Sequence, residues 1–458
     1  MRALCATVML CVATGCALKS PPKREDLARD ATPNLKVPDG WAELGAPAGG
    51  VADGWLGSFH DPQLDAVVRE ALAHNPDLRV AAARVEQAAG YVKLAGATLY
   101  PQVNALARGG GTLSGDSSGL QGAGIFANWE LDVWGRVRSG RAAASSQYNS
   151  AALDAEYARQ SLVALAAKSW FLATEARLQK TIAEDMVGSA GRQLNLAEER
   201  LRVGRGDQND VTLARATHAT YRDSVRNLEY AYRQALRAVE SLAGRYPASA
   251  LDVPAQLAAL PGPVPAGMPA QLLERRPDVI AAERRVAMAF YGVEEAKAAR
   301  LPRISLTAAL TSISSELFVL KERDNPVASL GAAINAPLFL GGQLQSQVEI
   351  RTAEQKLAVA EYGRVGARAF AEVESALAAA FTLEDREAIL QEAVRENTQA
   401  LEFANVRYRV GAGDMRAVQQ QGLALSAART ALLRVQAERL VQRVNLHLAL
   451  GGGFEATQ

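Results

Sequence analysis

The chain has 458 residues, 22% of them charged and 49% hydrophobic, with a formal net charge of +1. That is the composition of an ordered protein with a large core, and the near-neutral balance gives no reason to propose a nucleic-acid partner. After the N-terminal region no run of about 18 or more apolar residues occurs, which excludes a transmembrane helix and leaves strands or a lipid as routes to a membrane.

Residues 1–15 read as a signal peptide, with Arg2 as the positive start and residues 3–13 as the apolar stretch. The stretch ends in Ala13-Thr14-Gly15-Cys16, which resembles a bacterial lipobox. Small residues there pass into a signal-peptidase cleft, and the sulfur of Cys16 accepts the lipid. Ala13 stands where Leu is usual, and an ordinary signal peptide cut nearby is the alternative. Cys5 and Cys11 fall in the removed segment, so Cys16 is the only mature cysteine and no disulfide framework is possible. Ala17 rather than Asp follows it, which suits sorting to an outer membrane. Residues 16–54 read as a lipidated, extended lead-in with little helix.

The rest of the chain is an internal duplication. NPDLRVAAARVEQA at 75–88 resembles RPDVIAAERRVAMA at 276–289, and RVGRGD at 202–207 matches RVGAGD at 409–414. Pro101 pairs with Pro302, Asn128 with Asn335, Gly135 with Gly342 and Gly244 with Gly451. The first repeat is 55–246, a Pro-rich linker fills 247–270, the second repeat is 271–451 and a tail covers 452–458.

Each repeat has the same plan. A helix (62–98; 277–299) ends at Pro101 or Pro302. Two strands follow, 101–110 with 122–133 and 303–311 with 329–340. In the segment before Trp134, Ile125, Ala127, Trp129 and Leu131 alternate with Phe126, Asn128, Glu130 and Asp132, the period of a strand with two different faces. Next comes a long helix, 137–203 or 344–410, which at ~1.5 Å per residue spans ~100 Å. Leu162, Leu165 and Leu172, and in the second repeat Phe370, Val373, Leu377 and Ala380, recur at coiled-coil spacings. A turn at Gly204–Asp207 or Gly411–Asp414 then leads into a return helix, 208–243 or 415–449.

The strands have the length that crossing a membrane needs. Four strands cannot close a barrel, and open edges in lipid would leave backbone groups unpaired, so several subunits must share one barrel. Three copies give twelve strands, an even number. Glu130 and Asp132 fall on the polar face and would look into a water-filled lumen; the face of an ordinary surface sheet is the alternative. Trp129 and Trp134 suit the lipid–water boundary, or simple packing at the strand–helix junction.

These residues together resemble the outer-membrane efflux protein (TolC-like) family, specifically the lipoprotein (NodT/OprM-like) branch of RND-type tripartite efflux systems. The matching segments are FHDPQLDAVVREALAHNPDL (59–78), NWELDVWGRVR (128–138), LLERRPDVIAAERRV (272–286), APLFLGGQL (336–344) and VRYRVGAGD (406–414). The resemblance implies a membrane α+β fold: a homotrimer sharing a twelve-stranded transmembrane β-barrel, continued by a twelve-helix periplasmic α-barrel. It implies a passive exit duct for drugs or other small toxic compounds, docked to a periplasmic adaptor (membrane fusion) protein and an inner-membrane RND-type pump, with no enzymatic activity.

The resemblance also implies roles for the tips. Arg202, Val203 and Gly204, with Arg409, Val410 and Gly411, would form the periplasmic mouth and meet the adaptor. Glycine lets the backbone turn sharply there. Tyr408 and Arg409 would join the polar links that hold the mouth shut. Relatives carry an acidic ring just past this turn; the aligned positions here are Ala417 and Gln420, so Asp414, Arg416 and Gln420 with its neighbours would make a neutral polar constriction instead. No cofactor is expected beyond the lipid on Cys16, and no metal.

Other signals lead nowhere. The RGD at 205–207 sits in the repeated turn, and the glycine runs lack a phosphate-loop context. His60, His74, His218 and His447 form no ligand pair, and no catalytic constellation appears. Within the duct class, type I protein secretion and metal-ion efflux are the alternatives, the six methionines arguing weakly against copper or silver. From another class, a lipid-anchored helical scaffold without a pore is kept open.

Overall fold

A computed structural model of the chain describes residues 18–42, 50–51, 53–108, 121–314 and 327–455. Cys16 and the tips of both strand-connecting loops lie outside the described residues. The chain divides into two compact units. One comprises residues up to Lys36, Ala81–Ala155 and Asp278–Ala367; the other comprises Val37–Val80, Glu156–Pro277 and Arg368 onward.

The elements, in chain order, are α1 (Arg24–Ala31), a 3₁₀ turn (Trp55–Phe59), α2 (Pro62–His74), α3 (Pro76–Ala97), β1 (Gln102–Arg108) and β2 (Gln121–Leu131). Then come α4 (Arg136–Arg202), α5 (Gln208–Leu242), α6 (Pro269–Arg275), α7 (Pro277–Ala298), β3 (Arg303–Ser314), β4 (Val327–Asn335), α8 (Gln343–Val410) and α9 (Met415–Ala449). The two halves carry the same series with nearly equal lengths. Helices α3 and α7 have 22 residues each, α4 and α8 have 67 and 68, and α5 and α9 have 35 each.

Three expectations about local structure need correction. The first helix is broken: Pro76 starts α3, and the Asn75 side chain accepts from the backbone N–H of Asp77 (2.8 Å) and donates to the carbonyl of Leu242 (3.0 Å). Proline has no N–H to lose at a helix start, so the Asn-Pro pair ends one helix and opens the next. The lead-in is not wholly extended, since α1 forms within it and buries Leu27. The second repeat does not open with the expected 277–299 helix: a short helix, α6, precedes it, starting at Pro269 in the last residues of the linker.

The first unit contains an antiparallel sheet in the order β1-β2-β3-β4. Register fixes its faces, because directly paired residues share a side. Ile125 pairs with Ala105 and Leu310, and Leu310 with Ala328. Trp129 pairs with Leu306, and Leu306 with Ala332. This face is therefore Val103, Ala105, Ile125, Ala127, Trp129, Ile304, Leu306, Ala308, Leu310, Leu330 and Ile334, apolar as far as Ser312 near the end of β3. The opposite face carries Gln102, Asn104, Asn128, Glu130, Ser305, Thr307, Thr311 and Ser329, with Phe126, Leu106 and Val327 among them. The outer edges of β1 and β4 have no partner strand among the described residues.

In this unit the N-terminal segment is pinned to α7 by two ion pairs, Lys19–Glu294 and Arg24–Glu283, both at 2.7 Å. The second unit has a core of Trp55, Phe59, Leu64, Val68, Trp170, Phe171, Val239 and Leu440. Asp61 organises its edge: one carboxylate oxygen caps α2 by accepting from Gln63 and Leu64, and the other accepts from the Trp170 indole at 2.8 Å. Arg276, wholly buried, is held by Glu372 at 2.6 Å and by the carbonyl of Ala449 at 3.2 Å.

Candidate functional site

Two parts of the molecule bear on function, the sheet with its junction to α4 and the two helical turns. At the junction Glu130 lies on the polar face but is not free. It forms a two-point ion pair with Arg136, at 2.9 and 2.7 Å. Asp132, expected as a lumen-facing strand residue, lies beyond the end of β2. Its carboxylate accepts from the backbone N–H groups of Val137 and Arg138, both at 2.9 Å, and pairs with the Arg138 guanidinium at 3.0 Å. An acid at the start of a long helix satisfies orphan donors and complements the dipole, which explains why strand gives way to helix within four residues.

Both junction tryptophans tie this turn to the ends of the preceding helices. Trp129 lies on the apolar face and donates from its indole to the carbonyl of Leu99 (2.9 Å). Half-exposed Trp134 donates to the carbonyl of Pro302 (2.7 Å).

The turns between α4 and α5 and between α8 and α9 have one construction. Gly204 and Gly411 adopt φ of +72° and +84°. The Arg205 N–H bonds the Arg200 carbonyl at 2.8 Å, and the Ala412 N–H bonds the Arg407 carbonyl at 2.9 Å. These are Schellman closures, which need a residue tolerant of positive φ. Asp207 and Asp414 cap the return helices, accepting from Asn209 (3.1 Å) and Ala417 (2.8 Å). Arg202, Val203, Arg409 and Val410 are exposed at these turns, as are Arg416 and Gln420.

Tyr408 is different. It was expected among the polar links and at the constriction, and its side chain is 2% exposed, packed with Ala197, Val211, Ala214, Met415 and Val418. Its hydroxyl donates to Asp210 at 3.1 Å, its carbonyl accepts from Arg200, and the Arg200 guanidinium lies 4.5 Å from the ring centroid. Burial first, and then the Asp210 charge and hydrogen bond, push the phenol up to about 12. Residues of the first repeat thus clasp a residue of the second. Sequence reasoning missed Arg200 and Asp210. Asp210 in the first turn of α5 matches Ala417 in α9, but the copies differ at most positions, and it is the fold that singles this one out.

Among the described residues no helix is long and apolar enough to cross a membrane, and no cluster of three or more metal-ligating side chains occurs. A sheet of paired strands with one apolar and one polar face, followed by long helices, has the pattern of a β-type membrane channel subunit. The chain belongs to the outer membrane efflux protein family, whose model matches residues 67–245 and 268–452, one match for each repeat. It is an outer-membrane exit duct of an efflux system.

Across 99% of its length the chain is 29% identical to the pyoverdine export outer membrane protein OpmQ of Pseudomonas putida, covering 98% of that protein. Across 98% it is 30% identical to the cation efflux system protein CusC of Escherichia coli O6:H1, covering 99% of it. Among solved structures, the outer-membrane channel OprN superposes with a TM-score of 0.83 at 26% identity, over 92% of this chain and 99% of that one. The fold is that of these outer-membrane channels.

Proposed function

We propose that three copies of this chain close a twelve-stranded barrel and continue it as a twelve-helix tunnel. In that assembly the duct carries drugs or other small toxic compounds outward, passively and without catalysis. The observation that supports this most is the four-stranded sheet with one mainly apolar face and two edges that have no partner strand among the described residues. In lipid such edges cost several kcal/mol per unpaired group, and edge-to-edge closure among copies removes the cost. Trp129 and Trp134 then sit at the lipid–water boundary, Glu130 faces the lumen, and a lipid on Cys16 adds an anchor. The turns around Arg202–Gly204 and Arg409–Gly411 form the mouth that meets a periplasmic adaptor and, through it, an RND-type inner-membrane pump.

The experiment is electrophoresis in mild detergent combined with conductance in a planar bilayer. A heat-modifiable trimer with discrete openings is the expected result. A monomer with no conductance would overturn the shared barrel. For cargo, loss of the gene should raise sensitivity to organic toxicants; sensitivity to metal ions alone would favour the metal-efflux alternative suggested by the likeness to CusC.

A further inference from the structure

The charges at the two turns do not balance. Residues 200–210 and 407–416 hold six arginines (Arg200, Arg202, Arg205, Arg407, Arg409 and Arg416) against three aspartates (Asp207, Asp210 and Asp414), in a chain whose net charge is only +1. The aspartates are engaged: Asp207 and Asp414 cap helices, and Asp210 accepts from Tyr408. Two nearby glutamates are engaged as well, Glu199 with Arg202 and Glu198 with Arg215.

Three arginines stand apart. Among the described residues, exposed Arg205, Arg409 and Arg416 have no hydrogen-bonded or ion-paired partner on their side chains. Helix chemistry explains Arg409, since a cation in the last turn of α8 complements the dipole. It does not explain Arg416, which sits in the first turn of α9, where the dipole disfavours a cation and where the neighbouring acid, Asp414, is engaged as the helix cap. A cation kept against its local preference, seven residues along the chain from another unpartnered arginine, Arg409, points to work done on something outside the chain.

We propose that these turns form a cationic filter that makes the duct select anions, so that its cargo consists of small carboxylate- or phosphate-bearing molecules. The inference rests on reading the turns as the mouth. Three copies would bring nine such unpartnered guanidinium groups to one constriction, threefold the number in one chain. A ring of one sign in a narrow passage raises the local concentration of the opposite ion, and arginine rings serve anion pores in this way. It replaces the neutral constriction expected from the sequence.

The test is the reversal potential of the full-length protein in a planar bilayer of neutral lipid under a potassium chloride gradient. Tyr408→Phe is measured beside wild type, to release the mouth if it rests shut. Chloride should permeate about threefold or more better than potassium. R409A/R416A should lower that ratio at least about twofold, and R409K/R416K should keep it. A ratio at or below unity in wild type would overturn the inference, as would a ratio that R409A/R416A leaves unmoved. So would arginine variants of unchanged selectivity that lose export only when the pump components are present, which would assign the arginines to a protein partner. Conductance of either sign leaves the duct reading standing, whereas no conductance from wild type and Tyr408→Phe alike removes that reading and this inference with it.

Discussion

The hydroxyl of Tyr408, in the second repeat, donates to the carboxylate of Asp210, in the first, at 3.1 Å. A hydrogen bond to a charged acceptor contributes about 2 kcal/mol, and this one adds to the packing and the Arg200 contact that already join the two helical turns. Tyr408→Phe should therefore shift the closed–open equilibrium roughly thirtyfold toward opening in single-channel records, while the trimer still assembles. Equal open probability in the variant and wild type would assign the bond to packing only.

The same pair carries a pH dependence. The folded pKa of Tyr408 is raised, so its stabilisation is complete below the ordinary value near 10 and is lost as pH rises through about 12. Openings should become more frequent between these two values in wild type. Tyr408→Phe, with no proton to lose, should show no such rise.

His447 should titrate in the opposite sense, on the acid side. Its ring stacks on Trp55 at 5.6 Å and is 6% exposed; burial, then the nearby Arg443 charge, lower its pKa from 6.5 to about 4. The unfolded chain takes up the proton first, so stability should fall as pH drops from about 6.5 to about 4, by about 3 kcal/mol in all. His447→Gln should flatten that part of the thermal-melting profile. An unchanged slope would place the acid sensitivity elsewhere.

The two faces of the sheet should answer differently to charge. Ala308 is on the apolar face and Thr307 on the polar one. Ala308→Arg should cost about 2–4 kcal/mol in the membrane and abolish the heat-modifiable trimer, whereas Thr307→Arg should assemble normally. Reversal of that order would exchange the lipid and lumen faces.

Asp132→Ala removes a cap from α4 together with the ion pair to Arg138, at a cost of about 1–2 kcal/mol. A lowered melting temperature with unchanged ion selectivity is expected. An altered selectivity would return Asp132 to the lumen.

Much of this architecture is legible in the sequence because proline, glycine and period-two alternation act locally. Pro101 and Pro302 stop helices beside strands, and Gly204 and Gly411 supply the positive φ of the turns. Tertiary partners account for what was not legible. Asn75 reads as a residue within a continuous amphipathic run until its bond to Leu242 is seen. Beyond Asn335 the run Pro337–Leu340 keeps an apolar character, yet β4 ends, because its ladder with β3 stops at Arg303. Asp132 was placed on a water-facing strand face by alternation and Tyr408 at the constriction by resemblance, and each has a fixed intramolecular partner that only the folded chain brings near.

The matched lengths of α3 with α7, α4 with α8 and α5 with α9 bear on how such a closure could arise. An ancestor of one repeat, assembled six times, would present six identical turns, and every mutation would appear at all of them. In such a ring a phenol and a carboxylate would have to recur at every turn. Fusion of two copies into one gene lets each be kept on one turn only, so duplication freed the two turns to diverge into the halves of a latch.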